Sequence, residues 1–290
     1  MMMKKRPEDA LRDLLEHLVL EDRGDDRFVG ESQTAANGRI FGGLVFAQAM
    51  RAAQATAPER EVHSVHGSFL RAGDPKQPIE YAVVRLRDGR SFTTRRVTAS
   101  QGGQIIFEST VSFHVEEPGI ERQVDVTGSL EPSGEAYEDG LVRAARARGF
   151  QITRESFGHA PIEILVEGGL TMAEGEPRPP ELRSWLRSRE PLPDDRGLHA
   201  AILAYASDLM IVLPGFHPLG FGVMREGVQT ASLDHAMWFH EPVRIDDWVL
   251  AVGDGPVLKR SRVLGRMLFY DRRGRLVASA VQEGLARIPD

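Results

Sequence analysis

The apolar positions of the chain keep two different rhythms. Near the start, Leu11, Leu14, Leu15 and Leu18 recur at helical spacing within "EDALRDLLEHLVLE". "RFVGES" then reads as a short strand, "TAANGRIFGG" as a turn-rich connection, and "GLVFAQAMRAAQATAPER" as an Ala-rich helix stopped by Pro58. Four strand-like stretches follow: "VHSVHGSFLRAG", "IEYAVVRLRDG", "SFTTRRVTASQGG" and "QIIFESTVSFHVEE", with Asp-Gly and Gly-Gly at the joints. From Glu116 to His159 the pattern becomes acidic and broken by Pro and Gly, which reads as a linker with one short helix.

The second half repeats that order. Strand-like "PIEILVEGG" and "ELRSWLRSR" precede an apolar helix, "LHAAILAYASDLMIV", over residues 198–212, and four strand-like stretches then run from "QTASLDHAMWFHEP" to "RLVASAVQEGLARI". Setting Gly43 against Gly197 pairs Ala47 with Ala201, and setting Gly103 against Gly274 pairs Arg95 with Arg266. The letters agree rarely and the order of elements agrees throughout, so the pattern predicts a duplicated α+β unit. A lone helix among several long strands is best buried by an antiparallel sheet curling around it, which describes a hotdog fold. Two such units in one chain would set their sheets side by side. The expected organisation is an N-terminal unit over 1–116, a linker over 117–159 and a C-terminal unit over 160–290.

Composition narrows what such a scaffold could do. With 290 residues, 41% hydrophobic and 27% charged, the chain can bury a sizeable core in one large domain or two ordinary ones. A net charge of −6 argues against nucleic-acid partners, which need clustered positive charge. The absence of cysteine removes disulfides, a thiol nucleophile and any thiolate-ligated metal centre. Acidic residues interrupt the N-terminal stretch that a signal peptide would need apolar, and no run approaches a membrane span, so a cytoplasmic protein is expected.

The nucleophile elbow, the P-loop, the dinucleotide fingerprint and the HExxH zinc motif are all missing from the sequence, so any chemistry must come from scattered polar residues. Asp208 stands out. It follows Tyr205, Ala204 and Ala201 by three, four and seven residues, on an apolar helical face near a helix C-terminus, where a carboxylate needs partners. A surface Asp near a helix end would show the same spacing. In "QTASLDHAMWFHEP", strand alternation places Ser232, Asp234, Ala236, Trp238 and His240 on one face, with Leu233, His235, Met237 and Phe239 on the other. His235 and His240 therefore point apart, which makes a shared metal a poor reading and structural roles the better one. Gln282 interrupts an otherwise small and apolar strand, where it either serves a site or bonds within the sheet. The first-half counterparts of Asp208, Ser232 and Gln282 are Gln54, Val62 and Val111, so the polar trio belongs to the second half alone. Arg71, Arg95, Arg96, Lys259, Arg260, Arg262 and Arg266 could meet phosphates, although solvated strand faces look the same.

On these residues the sequence resembles the acyl-CoA thioesterase II family. The likeness runs through "RIFGGLVFAQAM", "VHSVHGSFLRAGD", "DGRSFTTRRVTASQGGQIIF", "LHAAILAYASDL", "LDHAMWFHEP" and "LVASAVQEGL", and covers all but roughly 118–160. The resemblance implies a double hotdog, hydrolysis of fatty acyl-CoA to fatty acid and CoA without metal or organic cofactor, and a homodimer. Matched residue by residue, it assigns catalysis to Asp208, Ser232 and Gln282. Many members carry Thr where this chain has Ser232, which keeps the hydroxyl but loses the methyl that holds its rotamer. Two alternatives stand beside this reading: a hotdog acyl-CoA hydratase or dehydratase, which typically uses an Asp–His pair, and a non-catalytic acyl-CoA binding protein. Asp234 and His235, being adjacent on a strand, face apart and disfavour the first, while the complete trio disfavours the second.

Overall fold

The computed structural model describes residues 7–33, 38–153 and 160–289. The basic start of the chain, part of the turn-rich connection (34–37) and the end of the expected linker (154–159) lie outside the described residues. Helix α1 (Pro7–His17) and the short strands β1 (Glu21–Gly24) and β2 (Arg27–Gly30) lead to the Ala-rich helix α2 (Gly42–Ala55). Four long strands follow: β3 (Glu61–Phe69), β4 (Ile79–Asp88), β5 (Phe92–Gln101) and β6 (Gln104–His114). Beyond an irregular stretch come β7 (Glu135–Ala136), α3 (Tyr137–Ala147), β8 (Ile162–Val166), β9 (Glu181–Ser188) and helix α4 (Arg196–Ser207). A 3-10 helix (Leu213–Leu219), then β10 (Gln229–Ser232), β11 (Asp234–Phe239), β12 (Val249–Lys259), β13 (Arg262–Asp271) and β14 (Leu276–Arg287) complete the chain.

The strands form one antiparallel sheet in the order β1-β2-β4-β5-β6-β3-β11-β14-β13-β12-β9-β8-β7, with β10 also on β14. The two halves meet at β3 and β11, where His235 lies opposite Gly67 and Trp238 opposite Ser64. The fold is a double hotdog of the α+β class, with α2 and α4 as the two enclosed helices. Both are apolar almost all round, the pattern of a helix covered on every side. They pack on each other closely enough that a Cβ at Gly43 would lie 2.6 Å from the Tyr205 carbonyl. Asp195 caps α4, its carboxylate accepting from Leu198 N at 3.0 Å.

The ladders reproduce the duplication residue by residue. In the first half Val62 lies opposite Phe113 and the register slips before Ser64. In the second, Ser232 lies opposite Gly284 and the register slips before β11 begins at Asp234. Val111 opposite Val65 therefore stands where Gln282 stands relative to His235.

Three local features differ from the sequence pattern. The second central helix stops at Ser207 instead of continuing to 212, so Asp208 is its C-cap and not an interior residue. The expected single strand from Gln229 is broken at Leu233 by a bulge, because β10 and β11 pair with β14 one residue out of phase. The stretch 115–134 has neither helix nor strand and yet is fastened to the outer face of the second half of the sheet. Gln123 bonds to both Gly274 O (2.8 Å) and Leu276 N (2.9 Å), and Val126 and Leu130 cover the buried Trp185, Leu250 and Tyr270. Among the described residues no helix is long and apolar enough to cross a membrane.

Candidate active site

The site assembles where the C-terminus of α4 meets the N-terminus of α2. Asp208 follows the last residue of α4 with only 4% of its side chain exposed. Its Oδ1 accepts from Ser232 Oγ at 3.1 Å and from Gln282 Nε2 at 2.6 Å, so the three residues singled out in the sequence converge on one carboxylate oxygen. Oδ2 is turned the other way, 3.0 Å from where a Cβ on Gly42 would sit. The reason for Gly at this position is thus close approach, since any side chain there would press on the carboxylate and on the Phe69 ring. Gln282 Oε1 is buried and has no protein partner.

The bulge at Leu233 makes this convergence possible. Strict alternation would turn Ser232 away from His235, but the slip in register brings both to Asp208. His235 is fully buried, stacked at a tilt on Phe46 with centroids 4.6 Å apart, and its Nδ1 lies 3.8 Å from Asp208 Oδ1. That separation is an electrostatic contact, too long for a hydrogen bond. Burial pushes the Asp208 carboxyl up, but the facing His235 and the donors on Gln282 and Ser232 outweigh it and hold the group below its usual value. Nearby Tyr205 is pushed up to about 12 by burial and by the charge of Asp208.

Asp208 and Ser232 line a cavity of about 420 Å³. Its walls are largely apolar, with Phe41, Val45, Phe69, Phe107, Leu213 and Leu285 among the lining residues, while Arg39 and Arg71 add positive charge. The wall after Asp208 is fixed by another close approach. Gly265 on β13 lies so near the Ile211 carbonyl that a Cβ would overlap it, which presses the chain segment before the 3-10 helix onto the sheet. Of the basic residues picked from the sequence only Arg71 lines this cavity, and its Nη1 also donates to Ile105 O at 2.7 Å. Arg95 is buried and bonded to Thr56 and Asp88, Arg262 pairs with Glu283, and Arg266 pairs with Asp254. His240 is bonded to Ser279 at 2.8 Å on the opposite face of the sheet from His235.

In the other half, the counterpart position is filled differently. Gln54 Nε2 donates to Gly197 O at 3.2 Å, Arg51 donates to Gln54 Oε1 at 3.1 Å, and Arg51 also pairs with Asp195 at 3.4 Å. Each central helix therefore ends on a polar side chain that reaches the start of the other helix, but only α4 delivers a carboxylate. Two contributors escaped the sequence reading: Gly42, visible only as part of a turn-rich segment, and His235, whose approach to Asp208 depends on the bulge.

Two family profiles match most of the chain. The profile of the acyl-CoA thioesterase N-terminal domain matches residues 31–114, and that of the acyl-CoA thioesterase C-terminal domain matches 136–286. The chain belongs to the acyl-CoA thioesterase II family. It is 34% identical over 284 residues to acyl-CoA thioesterase 2 of Haemophilus influenzae, covering 97% of this chain and 99% of that one. Human acyl-coenzyme A thioesterase 8 is 31% identical over 299 residues, covering 97% and 92% of the two chains. Among solved structures, the acyl-CoA thioesterase II of Mycobacterium marinum superposes with a TM-score of 0.76 at 33% identity, over 96% of this chain and 98% of that one. As a member of this family the protein is an acyl-CoA thioester hydrolase.

Proposed function

We propose that the chain hydrolyses fatty acyl-CoA by direct attack of a water activated by Asp208, with Ser232 and Gln282 holding the carboxylate and the water. The observation that carries this reading is the wiring of Asp208. Ser232 and Gln282 both donate to Oδ1, which leaves Oδ2 to take a proton on the side of the α2 N-terminus. The buried Gln282 Oε1 can accept the water's second hydrogen.

In this mechanism the water oxygen forms a bond to the thioester carbonyl carbon as its proton passes to Asp208. The oxyanion develops beside the first turn of α2, whose starting residue Phe41 provides no side-chain cap, so the N–H groups of Gly42 and Gly43 are the donors at hand. The C–S bond then breaks and the CoA thiolate leaves with the proton. A thiolate is a good leaving group, which is why no separate acid is required. The apolar cavity walls suit a fatty acyl chain, and Arg39 and Arg71 suit the anionic end of CoA. A homodimer, implied by the family resemblance, and a cytoplasmic setting, expected from the N-terminal sequence and the lack of a long apolar run, belong to the same proposal. Sedimentation equilibrium checks the first.

The test is a series of acyl-CoAs from short to long chain, assayed for release of free thiol. Release at catalytic rates that varies with chain length is expected. Binding without release would identify a binder, and conversion of an enoyl-CoA with no thiol released would identify a hydratase; either sinks the proposal.

A further inference from the structure

Gly284 lies inside β14, where a glycine weakens a strand because it packs nothing and leaves the unfolded backbone freer. The usual structural reasons for glycine do not apply to it. Its backbone is outside the left-handed region. A Cβ there would meet Ala231 O, Val212 Cγ1 and Val263 Cγ1 at 3.5 Å, ordinary van der Waals distances, whereas a Cβ at Gly42 would press on Asp208 and one at Gly265 would overlap the Ile211 carbonyl. Alanine would therefore fit at 284, and the space it would take belongs to the cavity.

That space adjoins the chemistry. Gly284 stands directly opposite Ser232 on β10 and two residues beyond Gln282 on β14, so a side chain there would share their face of the sheet. Two residues further along the same face is Ala286, part of the apolar cluster that holds Phe216, Phe221 and Val263. The facing wall advances in step, since Asp208 is followed by Val212, which lines the cavity and packs on the same cluster. From Gln282 to Ala286 the row spans about 13 Å, the length of an extended acyl chain of medium size. The basic lining residues Arg39 and Arg71 come instead from the first half of the chain, and Arg71 is held to Ile105 on β6. The duplication supplies a comparison. Val62 opposite Phe113 occupies the place of Ser232 opposite Gly284, and Phe113 is among the largest fully buried side chains. One half fills this position with an aromatic ring, and the other leaves it open.

We propose that Gly284 is a specificity-determining residue for the hydrolysis: by presenting no side chain opposite Ser232 it opens an acyl channel that runs along β14 toward Ala286 and the 3-10 helix and admits a straight acyl chain of medium length. The inference rests on the reading that the cavity holds acyl-CoA with its carbonyl at Asp208; CoA then lies on the first-half side, with Arg39 and Arg71. Because directly opposed residues stand about 5 Å apart, a side chain at 284 meets the acyl group within its first few carbons. Short acyl groups end before that point, and longer ones must pass it.

The readout is the ratio of kcat/KM on decanoyl-CoA to that on butyryl-CoA, in which a general loss of activity or of folded protein cancels. Gly284→Ala should lower the ratio roughly four-fold, the worth of burying about one methylene, and Gly284→Val about 10-fold or more. Val212→Ala, which widens the channel from the facing wall, should raise it. Loss by the same factor on both substrates in the two Gly284 variants would mean that the glycine serves the surroundings of Ser232 and not the chain, and that result overturns the proposal. If Gly284→Val does not fold, Gly284→Ala and Val212→Ala decide between the same outcomes, an unchanged ratio in both being the refutation. A parent protein that releases no thiol from either acyl-CoA removes the proposed function itself. Release by the parent beside unchanged ratios in the variants removes only the role of Gly284.

Discussion

Replacing Asp208 by Asn keeps the shape of the side chain and removes its basic oxygen. A positioned general base contributes roughly 10²- to 10⁴-fold, which is about 3–5 kcal/mol of transition-state stabilisation, and kcat should fall by that factor with KM little changed. Stability is the informative control. The two donors on Oδ1, Ser232 and Gln282, lose charge assistance, which costs about 1 kcal/mol each. Against this, the buried charge no longer needs desolvating. The carboxyl titrates below its usual value because its partners outweigh burial, so the charged form is the one the fold favours. Its stabilising contribution is present above the unfolded-state value and fades as pH falls through the lowered folded value. The amide should therefore give a small loss near neutral pH, no more than about 2 kcal/mol, and a difference from the parent that shrinks in acid. The assay is kcat on a medium-chain acyl-CoA beside denaturant unfolding at neutral and acidic pH. A variant that turns over at near-parental rate, with only its stability altered, would show that Asp208 is a structural cap.

Ser232→Ala and Gln282→Ala should each cost less in kcat than Asp208→Asn, and the triple variant little more than the worst single, because all three act on one water; additive losses would mean independent roles. Ser232→Thr should remain active, since the hydroxyl that donates to Asp208 is retained. Gly42→Ala puts a methyl group 3.0 Å from Asp208 Oδ2 and 3.1 Å from the Phe69 ring. The backbone tolerates Ala at a helix start but the tight contacts cost about 1–3 kcal/mol, so kcat should drop about 10-fold or more with a modest loss of melting temperature; unchanged kcat would place the reacting water elsewhere. Gln54→Ala should leave kcat within a few-fold of the parent, and a loss comparable to that of Asp208→Asn would mean that the first half also carries a working site.

The order of elements, the duplication and the two enclosed helices were legible because each rests on periodicity repeated over many residues. α2 and α4 are apolar on all sides, and such helices can only be interior. Asp208 and Gln282 could be singled out because each is a polar residue in an otherwise small and apolar stretch, whereas Ser232 was named by its strand position and by the family resemblance. Their geometry was another matter. Alternation assigned Ser232 and His235 to opposite faces, and nothing in "QTASLDHAMWFHEP" announces the slip at Leu233, because a bulge is decided by how two ladders register on β14. The end of α4 was likewise read too late, since "LMIV" continues the apolar pattern and only tertiary packing against Gly265 turns the chain there. The fastening of 115–134 to the second half of the sheet was invisible because it depends on backbone groups of Gly274 and Leu276, which carry no signature in composition.

The asymmetry between the halves follows from what each helix end can tolerate. A carboxylate at a helix C-terminus opposes the helix dipole, so it survives only where another helix start supplies compensating N–H groups and where donors meet its oxygens. Both ends of the α2–α4 pair offer a helix start, by the symmetry of the duplication. They differ in the side chains that meet the helix end. At the Asp208 end, Ser232 and Gln282 supply donors, and the bulge at Leu233 aims the first. At the other end, the same bulge is present before Ser64, but Val62 and Val111 occupy the equivalent positions and could satisfy no charge. Gln54 there is neutral and closes its own bonds to Gly197 and Arg51. The duplicated backbone thus provides two sockets of one shape, and the side chains at three positions decide that a single one of them holds a buried carboxylate.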